Sequence, residues 1–163
     1  MGIENIFDEA DNVRERVKKE ILGNQELLKL VSINHDNPLS KPNIIGASSL
    51  VDKYIYFTPR VYDTTIMGVQ NFLLTDIVIA SVRNSIKFAD IKLIFRIIVH
   101  NSLFELEDGK SRANQIASRL MDCFASKTGT WMGKCEFLSG NSIEVPSDYQ
   151  GLQLVFSMTD FKN

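Results

Sequence analysis

The side chains that could begin a reaction in this 163-residue chain are few: His35 and His100, Cys123 and Cys135, some neighbouring carboxylates, and one Gly-Lys-Ser run. A zinc site needs at least three ligands at a recognisable spacing, and no cysteine lies near either histidine in sequence. His35-Asp36 pairs a base with an orienting carboxylate, but no activated nucleophile accompanies it. Asp108-Gly109-Lys110-Ser111 has the ending of a phosphate loop, yet Phe104 occupies the place of its first glycine. Glu105, Glu107 and Asp108 would repel a phosphate, so the run reads as a turn into a helix with Asp108 or Ser111 as its cap. Asp8 with Glu9, and Glu105 with Asp108, read as solvated charges rather than an acid-base pair. No catalytic residue, metal ligand or cofactor site is assigned, and the sequence predicts a protein that is not an enzyme.

Composition points the same way. A hydrophobic content of 44% fills one core of ordinary density at this length, so residues 1–163 are expected to form a single domain. The 18 basic and 20 acidic side chains leave a net charge of -2, which draws the chain neither to nucleic acid nor to an anionic membrane. Apolar runs stop well short of the roughly 20 residues that span a bilayer, and the acidic, polar start is unlike a signal sequence. A cytoplasmic product is expected, with Cys123 and Cys135 as two small core hydrophobes rather than a disulfide.

The elements follow from periodicity. Ile3, Ile6, Phe7, Ala10, Val13, Val17 and Ile21 recur at steps of three and four, an amphipathic helix stopped by Gly23-Asn24. A short helix over residues 25–31 follows. Residues 34–52 carry Pro38, Ser40, Pro42, Gly46 and Ser48, and read as a long loop or arm suited to making contacts. The period then becomes two, with strands over residues 53–57, 71–82 and 90–100; the last sets Ile91, Leu93, Phe95, Ile97 and Val99 against Lys92, Arg96 and His100. A turn at residues 83–87 makes the second and third strands a hairpin. A helix bearing Ala113, Ile116, Ala117, Leu120 and Phe124 lies on the sheet, and strands over residues 133–139 and 151–159 finish the chain. The predicted class is α+β, an antiparallel sheet with an N-terminal helix and a second helix packed on one face, in the order α-β-β-β-α-β-β.

Two stretches raise the question of a partner. Tyr54, Tyr56, Phe57 and Tyr62, interleaved with Lys53 and Arg60, could stack on single-stranded nucleic acid, but the acidic balance favours a strand half buried in its own core. Residues 58–70, with Pro59, Val61, Ile66, Met67 and Val69, form an apolar loop without period that must pack on something, as must Trp131-Met132.

Taken in order, several stretches resemble the neck or tail-terminator proteins of tailed bacteriophages. They are Leu27-Leu28-Lys29-Leu30, Asn37-Pro38-Leu39-Ser40 with Pro42, Tyr56-Phe57-Thr58-Pro59, Phe95-Arg96-Ile97-Ile98-Val99-His100, Glu107-Asp108-Gly109-Lys110-Ser111-Arg112, and Tyr149-Gln150-Gly151-Leu152 leading to Thr159-Asp160-Phe161. The resemblance implies a tail-terminator fold and a subunit of a homo-oligomeric ring, taken as a hexamer, at the head-tail joint. Its partners would be copies of itself, the connector or adaptor, and the tail tube. It would work in the virion neck and the host cytoplasm during assembly, with no membrane and no sequence-specific nucleic acid. The expected subunit contacts are Pro38, Leu39, Pro42, Arg60, Tyr62, Met67, Lys92, Arg96 and Trp131. Alternative readings are a portal-side adaptor, a tail-tube component, or a small cytoplasmic module that binds nucleic acid or a peptide.

Overall fold

The computed structural model describes residues 4–58, 68–83, 88–125, 128–129 and 133–161. Helix α1 (Glu4–Leu22) buries Val13, Val17 and Ile21, one apolar residue per turn. Phe7, earlier on the same stripe, is 62% exposed. Asn24 caps α2 (Gln25–Ser32), its Oδ1 accepting from the Leu27 N–H at 3.0 Å. The helix has only eight residues, too few to persist alone, and it buries Leu27, Leu28, Leu30 and Val31.

The segment over residues 34–52 is more ordered locally than its turn residues suggest. It contains two 3-10 turns, Pro38–Ser40 and Ala47–Leu50, whose Pro38 and Leu50 are buried. Gln25 clamps its middle, donating from Nε2 to the Ile44 carbonyl at 3.1 Å and accepting from the Ile44 N–H at 2.8 Å. Beyond that clamp Ile45 is 96% exposed beside Gly46, whose φ of 70° suits a residue without Cβ.

One sheet of six strands follows, in the spatial order β1-β2-β3-β6-β5-β4. These are β1 (Ile55–Tyr56), β2 (Phe72–Arg83), β3 (Phe88–His100), β4 (Thr128–Gly129), β5 (Gly133–Ile143) and β6 (Tyr149–Phe161). The pairing is antiparallel except at one margin, where the two residues of β1 run parallel to Leu73 and Leu74 of β2. β3 and β6 form the sheet's axis, paired without a slip from Phe88 with Phe161 to His100 with Tyr149. The turn between β2 and β3, residues 84–87, lies outside the described residues.

Between β3 and β4 comes α3 (Arg112–Phe124), capped by the Ser111 hydroxyl, which accepts from the Asn114 N–H at 3.3 Å. Its Ala113, Ile116, Leu120, Cys123 and Phe124 are buried. Phe124 stacks on Phe95 at 5.2 Å between ring centres, and Phe95 meets Phe156 edge to face at 5.8 Å. The main core lies between these helices and the face of the sheet bearing Leu73, Leu93, Phe95, Ile97, Leu154 and Phe156. A smaller cluster of Tyr56, Phe72, Leu74, Ile98 and Tyr149 occupies one end of the opposite face.

Arg112, at the first position of α3, is fully buried. Its Nε donates to the Leu103 carbonyl at 2.7 Å, its Nη1 to Leu30 at 2.8 Å and to Ile33 at 3.1 Å, and its Nη2 to the His35 carbonyl. Burial pulls its pKa down and nearby Asp36 opposes that pull. Replacing Arg112 with Ala would leave four carbonyls without this donor, and the expected loss of stability is about 3–5 kcal/mol, measured by urea denaturation. Arg112→Lys should recover only part of it, because an ammonium lacks the planar fork. At Gly151 an added Cβ would lie 2.6 Å from Ile143 Cγ1 and 2.8 Å from Val145 Cγ1. Gly151→Ala is therefore expected to remove about 1–3 kcal/mol in the same assay.

Candidate subunit interface

Side chains alternate along a strand, and the described helices pack on one face of this sheet. The opposite face presents Asp76 and Val78 from β2, Lys92, Ile94 and Arg96 from β3, and Gln153, Val155 and Ser157 from β6. The cross-strand register aligns them in rows, with Lys92 beside Val78 and Ser157, and Arg96 beside Leu74 and Gln153. Arg96 is held in place by its Nε, which donates to Gln153 Oε1 at 3.1 Å. Lys92, Ile94, Arg96, Gln153, Val155 and Ser157 are all half-buried. No described helix lies on this face. It is a mixed surface of apolar and charged side chains.

The expected contact residues fall on separate parts of the molecule. Lys92 and Arg96 share the face just described. Pro38 is buried, Leu39 is exposed beside it and Pro42 is exposed two residues past the turn. Pro38 and Leu39 border a shallow recess with Asp36, Leu106, Glu107 and Asp108, pinned by the Glu107 N–H donating to the Asp36 carbonyl at 2.8 Å. Arg60, Tyr62, Met67 and Trp131 lie outside the described residues, with the rest of residues 59–67 and Met132. The end of that loop is tied down, since Tyr149 Oη donates to the Gly68 carbonyl at 2.8 Å and Asn34 Nδ2 to the Val69 carbonyl at 2.9 Å.

Of the aromatic run, Tyr62 lies outside the described residues and Tyr54 is half-buried. Tyr56 and Phe57 are buried on opposite sides of the sheet, in the small cluster and the main core respectively, so neither ring offers a free face. The Gly-Lys-Ser run closes on itself: the Leu106 N–H donates to the Lys110 carbonyl at 2.9 Å, and Lys110 Nζ lies 3.5 Å from Asp108 Oδ2. Ser111 is the helix cap, with Gly109 at φ 80° in the turn before it.

A feature that periodicity did not reveal is an open groove of about 840 Å³ where the end of α1, the start of α2 and the end of α3 meet. Arg16, Lys19, Glu20, Glu26 and Asp122 line it with both signs of charge, and Asn24 Nδ2 donates to Cys123 Sγ at 3.2 Å on its floor. Arg119 pairs with Glu26 at its rim. Cys123 and Cys135 are both buried thiols. Burial, seconded by the Glu136 charge, pushes the Cys135 thiol up to about 11, the reverse of what a nucleophilic thiol requires. Among the described residues no group of three His, Cys, Asp or Glu could hold a metal ion, and no helix is long and apolar enough to cross a membrane.

A family model described as YomW matches residues 24–158, and the chain belongs to that family, which is phage-derived. No curated protein matches the sequence. A solved structure described as "Virion of native gene transfer agent (GTA) particle" is similar at 16% identity and a TM-score of 0.42, over 78% of this chain and 93% of the other.

The raised thiol makes stability depend on pH with a fixed sign. Unfolding releases the Cys135 thiol to its ordinary value of 9.0, while the folded chain holds its proton up to about 11. The unfolded state therefore binds fewer protons in that window, and stability should fall as pH rises from 9.0 to about 11. Urea unfolding across the window should show a steeper decline for the wild-type protein than for Cys135→Ala; equal slopes would contradict the assignment. The difference between the two isolates Cys135 from Tyr149, whose hydroxyl is also raised by burial and by Asp148.

Proposed function

We propose that this YomW-family protein is a structural component of a phage-type virion, the tail terminator, which assembles as a ring of six copies at the joint between head and tail. The observation that carries the reading is the sheet face bearing Val78, Lys92, Ile94, Arg96 and Val155, which no described helix covers and whose mixture of apolar and charged groups suits a protein partner. Phage derivation of the family supports the virion setting. The buried thiols and the self-closed lysine turn give the described residues a structural character rather than a catalytic one.

A ring closed by rotation uses two unlike patches of each subunit, repeated around the axis. In this reading the face around Lys92 and Arg96 supplies one patch, and the loop region containing Pro38, Leu39, Pro42, Arg60, Tyr62 and Met67 the other, with Trp131 at the margin. The two open sides of the ring meet the connector or adaptor above and the tail tube below. The protein passes through the host cytoplasm before it enters the particle.

Immunogold labelling of intact particles tests the position. Label confined to the head-tail joint is expected. Label along the tail would make the protein a tube subunit, and unlabelled particles would remove it from the virion altogether. Sedimentation and negative-stain imaging of the purified chain test the ring, with Lys92→Glu and Arg96→Glu together expected to weaken it at least about tenfold, as loss of a well-placed charged contact does.

A further inference from the structure

The sheet ends abruptly on both sides. β1 covers only Leu73 and Leu74 of β2, and no other described strand lies along residues 75–83. At the other margin β4 covers only Gly133 and Lys134 of β5, and no described strand lies along residues 137–143. Among the described residues, each margin therefore shows a row of backbone donors and acceptors with no partner strand beside it. Exposed large apolar side chains sit on both, Val78 at 39% on β2 and Phe137 and Leu138 at 42% and 48% on β5.

The directions of the strands decide what can fit. β2 is antiparallel to β3, β3 to β6, and β6 to β5. Three reversals leave β2 and β5 running opposite ways at the two margins of one sheet. A second copy placed beside the first, with its helices on the same side, thus brings its β2 against the first copy's β5 in antiparallel orientation. The stretches that no other described strand covers are of comparable length, residues 75–83 and 137–143. Both strands also slip register against their inner neighbours, between Ile79 and Ser81 and between Phe137 and Ser139. Such irregularities bend a strand and add twist, and are common at sheet edges and barrel rims.

We propose that residues 137–143 of β5 in one copy pair antiparallel with residues 75–83 of β2 in the next, so that the assembled ring is one continuous sheet with its helices on one side. This rests on the ring reading and adds to its side-chain patches a main-chain seam, which on β2 runs along the margin of the face where Val78 lies beside Lys92. The interface is heterologous, as a closed ring requires, and every subunit uses each edge once. Main-chain bonds supply the pairing, while Val78, Phe137 and Leu138 bring apolar area to the seam.

The test is hydrogen exchange on the purified full chain, comparing the ring with dilute monomer, together with sedimentation of the Val78→Lys, Leu138→Lys double variant. Both substitutions fall on exposed side chains, and a lysine on a strand edge opposes pairing. Amides of residues 75–83 and 137–143 are expected to slow by about tenfold or more in the ring, and the variant to sediment as a monomer. Central β3 and β6 amides that remain protected in the variant would show that it folds; if it does not fold, exchange on the wild-type chain decides alone. A ring whose edge amides exchange as fast as in the monomer overturns the edge pairing and leaves the ring intact. A dimer protected only at residues 137–143 overturns the head-to-tail arrangement. A wild-type chain that stays monomeric at every concentration overturns the ring reading itself, and the inference with it.

Discussion

The buried guanidinium of Arg112 is the constraint on which the rest of the molecule depends. A charge placed out of water is stable only where its surroundings return its hydrogen bonds, and here backbone carbonyls do so from Leu30, Ile33 and His35 at the end of α2 and from Leu103 just after β3. Three of these carbonyls lie at or beyond the last turn of α2, where the helix leaves its acceptors unpaired and its dipole is negative. One side chain therefore caps α2, begins α3 and ties both to the end of the central strand. Asn71 makes a second stitch nearby, accepting from the His100 N–H at 3.3 Å and donating to the Val31 carbonyl at 3.4 Å. With the helical layer fixed in this way, α2 needs no stability of its own.

That lock determines what remains available for function. The helices and residues 34–52 gather on one face, where Phe95, Phe124 and Phe156 interlock. The opposite face keeps a small sealed cluster around Phe72 and Tyr149 at one end and half-buried mixed side chains over the rest. A sheet built to stand alone usually blunts its edges or curls them together. Here the axis of the sheet is long and regular, while its covering strands β1 and β4 have two residues each. The molecule is closed where the helices are and open where the sheet meets its surroundings, an asymmetry suited to a part rather than to a complete device.

Much of this was legible in the sequence, and the rest was hidden for identifiable reasons. Period-two alternation placed Ile91 to Val99 inward and Lys92 and Arg96 outward, as found; a strand's two faces are written directly into its residue types. Helical spacing placed Val13, Val17, Ile21, Ile116, Leu120 and Phe124 in the core for the same reason. Phe7 misleads because periodicity reports which face is apolar, not whether anything lies against it. Arg112 is invisible for a related reason: an arginine at a helix start looks solvated until the fold shows carbonyls converging on it. The 3-10 turns in residues 34–52 depend on Gln25 reaching across to Ile44, a contact no local pattern carries. The open edges need the spatial order of strands, which nothing in the one-dimensional text specifies. Of the expected contact residues, Lys92 and Arg96 were correctly oriented by alternation, whereas their use in a contact, with Pro38 and Leu39 in a second patch, drew on the resemblance.

Magnitudes explain why a chain whose two sheet margins carry no further described strand need not clump. Pairing seven residues of β5 with a neighbour makes on the order of seven main-chain bonds, each contributing about 0.5–1.5 kcal/mol net. Association in water costs about 4–15 kcal/mol in lost freedom of the partners, so one such seam is close to balance. The side chains keep it there: Ser139, Gly140, Asn141 and Ser142 give β5 a polar stretch beyond Leu138, and the bulge interrupts the flat template that open-ended stacking needs. Closure changes the sum, because the last seam of a ring forms between ends already held close together and adds its bonds without a second full loss of freedom. An edge too weak to hold a pair can thus hold a closed circle. A seam of this strength therefore favours assembly that rises steeply with concentration, as a closed set, over stepwise growth of open chains.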